Sequence, residues 1–208
     1  MTPAALEILT NGAGAILDRP LTGAETEMFS IYLNLLIKWN RSQRLIGSAE
    51  PGWIVRRLFL DSLLFLKVLP AAAHRILDLG SGAGLPGIPI KIVKNDAELT
   101  LLEARRKRAS FLSTVVRELS LQGARVMNAR LEDVVEALAG QFDAVVMRCA
   151  GRLDELASSA MRLLTPGGVI IASGPPEESD LETGEWVSVR LDAAGPPRRF
   201  VVYRNPSA

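Results

Sequence analysis

The run Ile76-Leu77-Asp78-Leu79-Gly80-Ser81-Gly82-Ala83-Gly84-Leu85-Pro86-Gly87 constrains the fold more than any other part of the chain. It reads as a buried strand, a glycine-rich turn and a helix start. Glycine reaches positive φ at little cost and lets a ligand approach the backbone without a Cβ in the way. Pro86 suits a first helical turn, where its missing N–H is not needed. A strand, turn and helix in this order form the ligand crevice at the carboxyl end of the first strand of an open α/β sheet.

The surrounding pattern extends that unit. Strand-like runs are predicted at Ile76–Leu79, Leu99–Glu103, Arg125–Asn128, Ala144–Met147 and Val169–Ala172, with helical patterns between them. The clearest helix is predicted over Lys107–Leu121, with Leu112, Val115, Val116 and Leu119 on one face. Alternating strands and helices imply a parallel sheet covered on both sides. The tail alternates differently: Val187, Val189 and Leu191 face one way, and Phe200–Tyr203 follows a Gly-Pro-Pro turn. Two such strands predict an antiparallel edge. The fold class is therefore α/β, a Rossmann-like doubly wound sheet, mostly parallel with an antiparallel C-terminal edge.

Residues 1–74 read as a helical N-terminal cap, and residues 75–208 as the Rossmann-like domain. Thr22-Gly-Ala-Glu25 has capping-box spacing, and Met28, Tyr32, Leu35, Leu36 and Trp39 share a helical face. Gly47, Pro51 and Gly52 break the chain, and a second helix is predicted from Trp53 to Val68, with Arg57 and Asp61 one turn apart. That stretch is too short and too charged to span a bilayer. The N-terminus has no basic start followed by an apolar run, so no signal peptide is expected. With one cysteine, Cys149, and one histidine, His74, neither a disulfide framework nor a zinc cluster is expected. A cytoplasmic protein without membrane attachment follows as the expectation. His74 reads as an exposed junction residue and Cys149 as packing.

Two ligand readings compete at the glycine loop. Gly82-Ala-Gly84-Leu-Pro-Gly87 satisfies the dinucleotide pattern. Asp78, however, places a carboxylate beside the crevice. That suits a cationic ligand, such as a sulfonium bearing an ammonium, better than a pyrophosphate. Glu103 ends the second predicted strand, where an acid accepts hydrogen bonds from ribose hydroxyls; both ligand classes share that feature. The alternative for Glu103 is an acid at a helix N-terminus. Farther along come Arg130-Leu131-Glu132-Asp133, Phe142-Asp143-Ala-Val-Val-Met-Arg148 and Leu163-Leu164-Thr-Pro-Gly167-Gly168. Over Ile76–Ala172 this order resembles the class I S-adenosylmethionine methyltransferases.

Within that class, Gly80-Ser-Gly-Ala-Gly-Leu-Pro-Gly-Ile-Pro89 resembles the RsmG family, also called GidB, which methylates N7 of a guanine in small-subunit (16S) ribosomal RNA. Trp39-Asn40, Leu60-Asp61-Ser62, Lys107-Arg108 with Phe111-Leu112, and Arg148 extend the likeness, from about Thr22 to Arg204. The resemblance implies S-adenosylmethionine as cofactor, S-adenosylhomocysteine as product, and no metal. It places cofactor contacts on Gly80, Leu85, Leu131, Glu132 and Arg148; Gly82, Gly84 and Glu103 join them by the class pattern, and Asp78 by its charge. The chain departs from the family pattern at Arg44-Leu45-Ile46, where Asn-Leu-Thr is usual, at Leu58, usually His, and at Ser173-Gly174, usually Lys-Gly. The last change takes a cation from the expected reaction mouth. Another RNA site or a small molecule as acceptor stays open, as does a cofactor-binding protein without methyl transfer.

Guanine N7 carries a lone pair and no proton, so its methylation needs alignment rather than a general base. Arg148 is a candidate for positioning substrate or holding a carboxylate or phosphate; its alternative is a salt bridge to Asp143 or Asp154. The net charge of +1 hides an asymmetry: residues 75–130 carry ten basic and five acidic side chains, residues 131–208 seven and twelve. Arg105-Arg106-Lys107-Arg108 opens a predicted helix, where cations oppose the helix dipole. These four are candidate RNA contacts, the alternative being a solvated helix start beside Glu103. Arg41, Arg44, Arg56 and Arg57 extend this surface if the N-terminal helices fold over the same edge. The partner implied is small-subunit ribosomal RNA or the small ribosomal subunit, met by a monomer.

Overall fold

The computed structural model describes residues 1–148, 153–173, 181, 183–190 and 197–206, with the side chains of 153–155 left aside. Among them is a seven-stranded sheet of order β3-β2-β1-β4-β5-β7-β6. The strands are β1 (Arg75–Leu79), β2 (Glu98–Leu102), β3 (Ala124–Met127), β4 (Phe142–Met147), β5 (Leu164–Ser173), β6 (Glu185–Val189) and β7 (Arg198–Arg204). β1 to β5 pair in parallel. β7 inserts antiparallel between β5 and β6. All seven predicted strands are present, within a few residues at their ends, and the antiparallel edge is as expected. Leu191 and the Gly195-Pro196 part of the expected turn lie outside the described residues.

Residues alternate between two apolar layers along each strand. Ile76, Leu99, Leu101, Ala144, Val146, Val169, Ile171 and Phe200 face one side, and Leu77, Leu102, Val145, Met147, Ile170, Ala172 and Val201 the other. Burial on both faces is the condition under which a parallel sheet is stable. The helices are α1 (Pro3–Leu17), α2 (Gly23–Gln43), α3 (Pro51–Ile54), α4 (Asp61–Leu63), α5 (Gly87–Val93), α6 (Arg106–Glu118), α7 (Leu131–Val134) and α8 (Leu153–Met161). α1, α2, the 51–67 run, α5 and α6 share one continuous core with the first face of the sheet. α7 and α8 cover the second.

Thr22 and Glu25 form the expected capping box: Thr22 Oγ1 accepts from the Glu25 N–H at 3.1 Å and Glu25 Oε2 from the Thr22 N–H at 2.7 Å. The buried stripe of α2 is centred on Phe29, Tyr32, Leu33 and Leu36, with Met28, Leu35 and Trp39 at its margins. This is a small rotation from the predicted face. α2 contacts both α5 and α6, so its apolar stripe must serve two neighbours. The predicted helix Trp53–Val68 is helical but not uniform. A π-helical segment, Val55–Leu60, separates α3 from α4, and a 3₁₀ turn, Leu64–Lys67, ends the run. Such π segments interrupt the regular carbonyl ladder. Here the Arg57 carbonyl accepts from a distant guanidinium, that of Arg148.

Candidate active site

Parallel pairing puts the ends of the strands in one row. Leu79 is level with Leu102, Leu102 with Met127, and Met147 with Ala172. The next residues along these strands are Gly80, Glu103, Asn128, Arg148 and Ser173, so the sheet itself brings the predicted site residues to one edge.

The glycine loop is built on that edge. Gly80 and Ser81 donate to the Leu102 carbonyl at 2.9 and 3.1 Å, tying the loop to β2. Gly80, Gly82 and Gly84 have φ of 72°, 58° and 89°. A Cβ on Gly84 would stand 2.3 Å from Ile88 Cδ1, whereas one on Gly80 would meet nothing within 4 Å. Gly84 is therefore required by packing as well as by conformation; Gly80 faces open space. Pro86 takes the position just before α5, which starts at Gly87.

Asp78 lies fully buried beneath this loop, and its Oδ2 accepts from the Gly87 N–H at 2.9 Å. Its Oδ1 is buried without a hydrogen-bond partner among the described residues. Burial pushes the carboxyl up to about 7; the Gly87 N–H opposes this, the Glu103 charge adds to it, and Arg148 opposes it. Glu103 is also buried. Its Oε2 accepts from the Gly82 N–H at 2.8 Å and its Oε1 from the Arg105 N–H at 2.7 Å. Glu103 thus braces the loop and sits at the start of α6, as the reading of it as a helix N-terminal acid expects.

Arg148 does not pair with Asp143; the side chain of Asp154, the other expected partner, lies outside the described residues. Asp143 is taken by Arg75, at 2.8 Å, and by the His74 and Arg75 amides. Arg148 Nη2 instead lies 2.8 Å from Asp61 Oδ2, on the far side of the π segment. Asp61 Oδ1 lies 2.8 Å from Arg198 Nε of β7. Sequence spacing pairs Asp61 with Arg57, but the π segment turns Asp61 toward the sheet. The Arg148 Nη1 atom is buried and has no hydrogen-bond partner among the described residues. Burial lowers the guanidinium pKa, although it remains a cation at any physiological pH.

Three residues at this edge have no role that the sequence alone assigns. Tyr32, which reads as part of an apolar face, donates its hydroxyl to the Ala83 carbonyl at 2.6 Å while its ring stacks on Phe59, with centroids 5.1 Å apart. Asn128 donates to the Glu103 and Ala104 carbonyls at 2.9 and 3.1 Å, closing the β2–β3 end. Arg198 completes the Asp61 pair. None carries a local signal, because each partner is remote in sequence.

Leu131 is buried at the start of α7 and Glu132 is exposed in its first turn. Arg105, Arg106 and Lys107 are exposed and Arg108 half-buried, all around the N-terminus of α6. Ser173 is buried at the end of β5, and its neighbour Gly174 lies outside the described residues. His74 is 61% exposed and pairs with Asp96 at 3.3 Å, as a junction residue would. Cys149 lies outside the described residues. Among the described residues no cluster of His, Cys, Asp or Glu fit to hold a metal occurs, and no helix is long and apolar enough to cross a membrane.

The strand order with its antiparallel edge and the glycine loop after β1 define the Rossmann-like methyltransferase fold. A solved S-adenosylmethionine-dependent methyltransferase from Aquifex aeolicus shares it, with a TM-score of 0.54 at 16% identity over 75% of this chain and 94% of that one. The chain belongs to the GidB family, described as rRNA small subunit methyltransferase G, whose model matches residues 25–185. It is 40% identical to the ribosomal RNA small subunit methyltransferase G of Syntrophus aciditrophicus (strain SB), over 93% of this chain and 87% of that protein. It is 37% identical to the protein of the same name from Desulfitobacterium hafniense (strain Y51), over 83% of this chain and 72% of that one.

Proposed function

We propose that the protein is an S-adenosylmethionine-dependent methyltransferase that modifies N7 of a guanine in small-subunit ribosomal RNA, acting as a cytoplasmic monomer. The observation that carries this reading is the row Gly80, Glu103 and Arg148 at the carboxyl edge of a sheet belonging to this family.

The residues present fit the cofactor. Asp78 Oδ1 and Arg148 Nη1 are two buried, unpaired polar atoms of opposite sign, matching the ammonium and carboxylate of an amino acid. Gly80 leaves open space above the loop. Gly82, Gly84 and Leu85 form the floor, Glu103 offers remaining lone pairs to ribose hydroxyls, and Leu131 and Glu132 stand where an adenine ring would lie. S-Adenosylmethionine supplies an electrophilic methyl group on a sulfonium, and leaves as S-adenosylhomocysteine; no metal is required.

The protein's own work is positional. The loop is fixed from below by Asp78, from the side by Glu103 and from above by Tyr32. A nucleophile with a free lone pair, such as guanine N7, needs no proton removed, so orientation and exclusion of water carry the rate. A buried Arg148 held by Asp61 is preorganised and costs little reorganisation during transfer.

The test is transfer of labelled methyl from S-adenosylmethionine to small subunits prepared without their guanine-N7 methylation, with naked RNA and a small-molecule extract alongside. Label at one guanine N7 of the subunit RNA is the expected result. Label elsewhere would redirect the acceptor, for which Ser173 supplies the motive. Cofactor binding with no transfer to any acceptor would leave a binding protein.

A further inference from the structure

A recess of about 450 Å³ lies between the end of α2 and the start of α6, lined by Gln43, Arg44, Arg105, Arg106, Lys107 and Arg108. From this recess we infer a seat for a backbone phosphate of the substrate RNA strand, held by five cations from two separate elements. The inference rests on the RNA-methyltransferase reading above.

Three features converge on an anion. First, among the described residues no ion pair engages Arg44, Arg105, Arg106, Lys107 or Arg108, although nine ion pairs are formed there by other lysines and arginines. Second, α6 has no acidic residue in its first turn and its N-cap Arg105 makes no side-chain cap; Glu103 meets the Arg105 amide, and no side chain caps the amides of the turn that follows. Four cations there oppose the dipole, an arrangement that a phosphate would neutralise. Third, Arg44 is held at φ 48°, ψ 54° after α2, its N–H donating to the Asn40 carbonyl at 3.2 Å. Glycine or asparagine is the usual choice in that left-handed position. An arginine there places a guanidinium on the wall opposite α6.

The recess is also joined to the methyl-transfer site. Arg108 Nη1 stands 3.8 Å from the place a Cβ on Gly82 would take, and the Gly82 amide is braced by Glu103. A phosphate seated beside Arg108 therefore lies next to the cofactor loop. Phosphate contacts fix register without reading sequence. Here they would set which nucleotide of the strand reaches the mouth.

The test uses the full chain and a short fluorescein-labelled single-stranded RNA, read by anisotropy from about 50 to about 300 mM salt. The variant is R44N/R106Q/K107Q. Asparagine keeps the left-handed conformation at residue 44, and none of the three residues is assigned to the cofactor. R117Q, at the other end of α6, is the control. The triple variant is expected to bind RNA about tenfold or more weakly at low salt. Its slope of log affinity against log salt should fall by about 0.7 for each phosphate that the protein no longer neutralises. Affinity for S-adenosylhomocysteine, by calorimetry, should match that of wild type. RNA affinity and slope within twofold of wild type, or an equal loss in R117Q, would overturn the inference. Methyl transfer separates the two readings. A wild type that modifies subunits, with an unchanged KM in the triple variant, removes the recess and keeps the enzyme. A wild type that transfers no methyl to RNA while the triple variant still loses RNA binding keeps the recess and removes the acceptor.

Discussion

Asp61 Oδ2 lies 2.8 Å from Arg148 Nη2, and this pair joins the helical N-terminal segment to the end of β4. The same carboxylate holds Arg198 through its other oxygen. With side chains only 17% and 24% exposed, Asp61 and Arg148 are partly withdrawn from water, so neither is readily solvated if the other is removed. Asp61→Ala removes the carboxylate that Arg148 Nη2 and Arg198 Nε each approach at 2.8 Å. A loss of about 3 kcal/mol in urea unfolding is expected, at the lower end for a buried pair because some exposure remains. S-Adenosylhomocysteine affinity should fall with it, since Arg148 loses its orientation. A variant as stable as wild type would show that water replaces Asp61.

Tyr32→Phe keeps the ring stacked on Phe59 but removes the donor to the buried Ala83 carbonyl. The cost is that of an unpaired acceptor, about 1–2 kcal/mol. The measurement that matters is cofactor affinity, which should fall by about tenfold if the hydroxyl is what holds the loop in its binding shape. Affinity unchanged beside lowered stability would mean that the loop keeps its shape without it.

Gly80 and Gly84 separate two roles of glycine. Gly84→Ala drives a Cβ to 2.3 Å from Ile88 Cδ1 and 3.0 Å from Tyr32 Oη at φ 89°, so the variant should be destabilised by about 3 kcal/mol or more. Gly80→Ala has no such neighbour and carries only left-handed strain, about 1–2 kcal/mol. It should fold, with a thermal midpoint lowered by only about 2–8 °C, yet bind S-adenosylhomocysteine poorly because the added methyl stands above the loop. Normal binding by Gly80→Ala would place the cofactor elsewhere.

Asp78 predicts a dependence on pH. Its carboxyl titrates at about 7 in the folded chain and in the ordinary carboxylate range when unfolded. Between these values the folded state binds the extra proton, so stability falls as pH rises, by up to about 1.4 kcal/mol per pH unit, and levels off above 7. Asp78→Asn keeps an acceptor for the Gly87 N–H and loses the titration. The difference between wild type and Asp78→Asn in urea unfolding should therefore change from pH 5 to 7 and be flat above. A constant difference across that range would show that Asp78 is ionised throughout.

Much of this architecture is legible from periodicity. β1 to β5 are short apolar runs between helical patterns, and their positions fix the row of Gly80, Glu103 and Arg148 without further information. The capping box of α2 is legible because both partners lie within four residues. The Asp61 link is not, because its partners are on β4 and β7 and only the tertiary fold brings them together. The π segment is invisible for the same reason: it changes hydrogen bonding without changing residue type. Arg44 reads as a basic residue at a helix end; its backbone conformation, which aims it at α6, has no signature in composition.

β7 is, among the elements described, the last to leave a translating ribosome, yet it sits inside the sheet rather than at its margin. Its Phe200 packs edge-on against Phe65 at 4.8 Å and its Arg198 reaches Asp61. Until Arg198–Arg204 has emerged, β5 has an open edge and Asp61 lacks one of its two cations. A nascent chain therefore cannot complete the Asp61 contacts before β7 is in place. Closure of this part of the molecule waits for residues 198–204, and a product truncated before residue 198 would lack both the antiparallel neighbour of β5 and the Arg198 contact to Asp61.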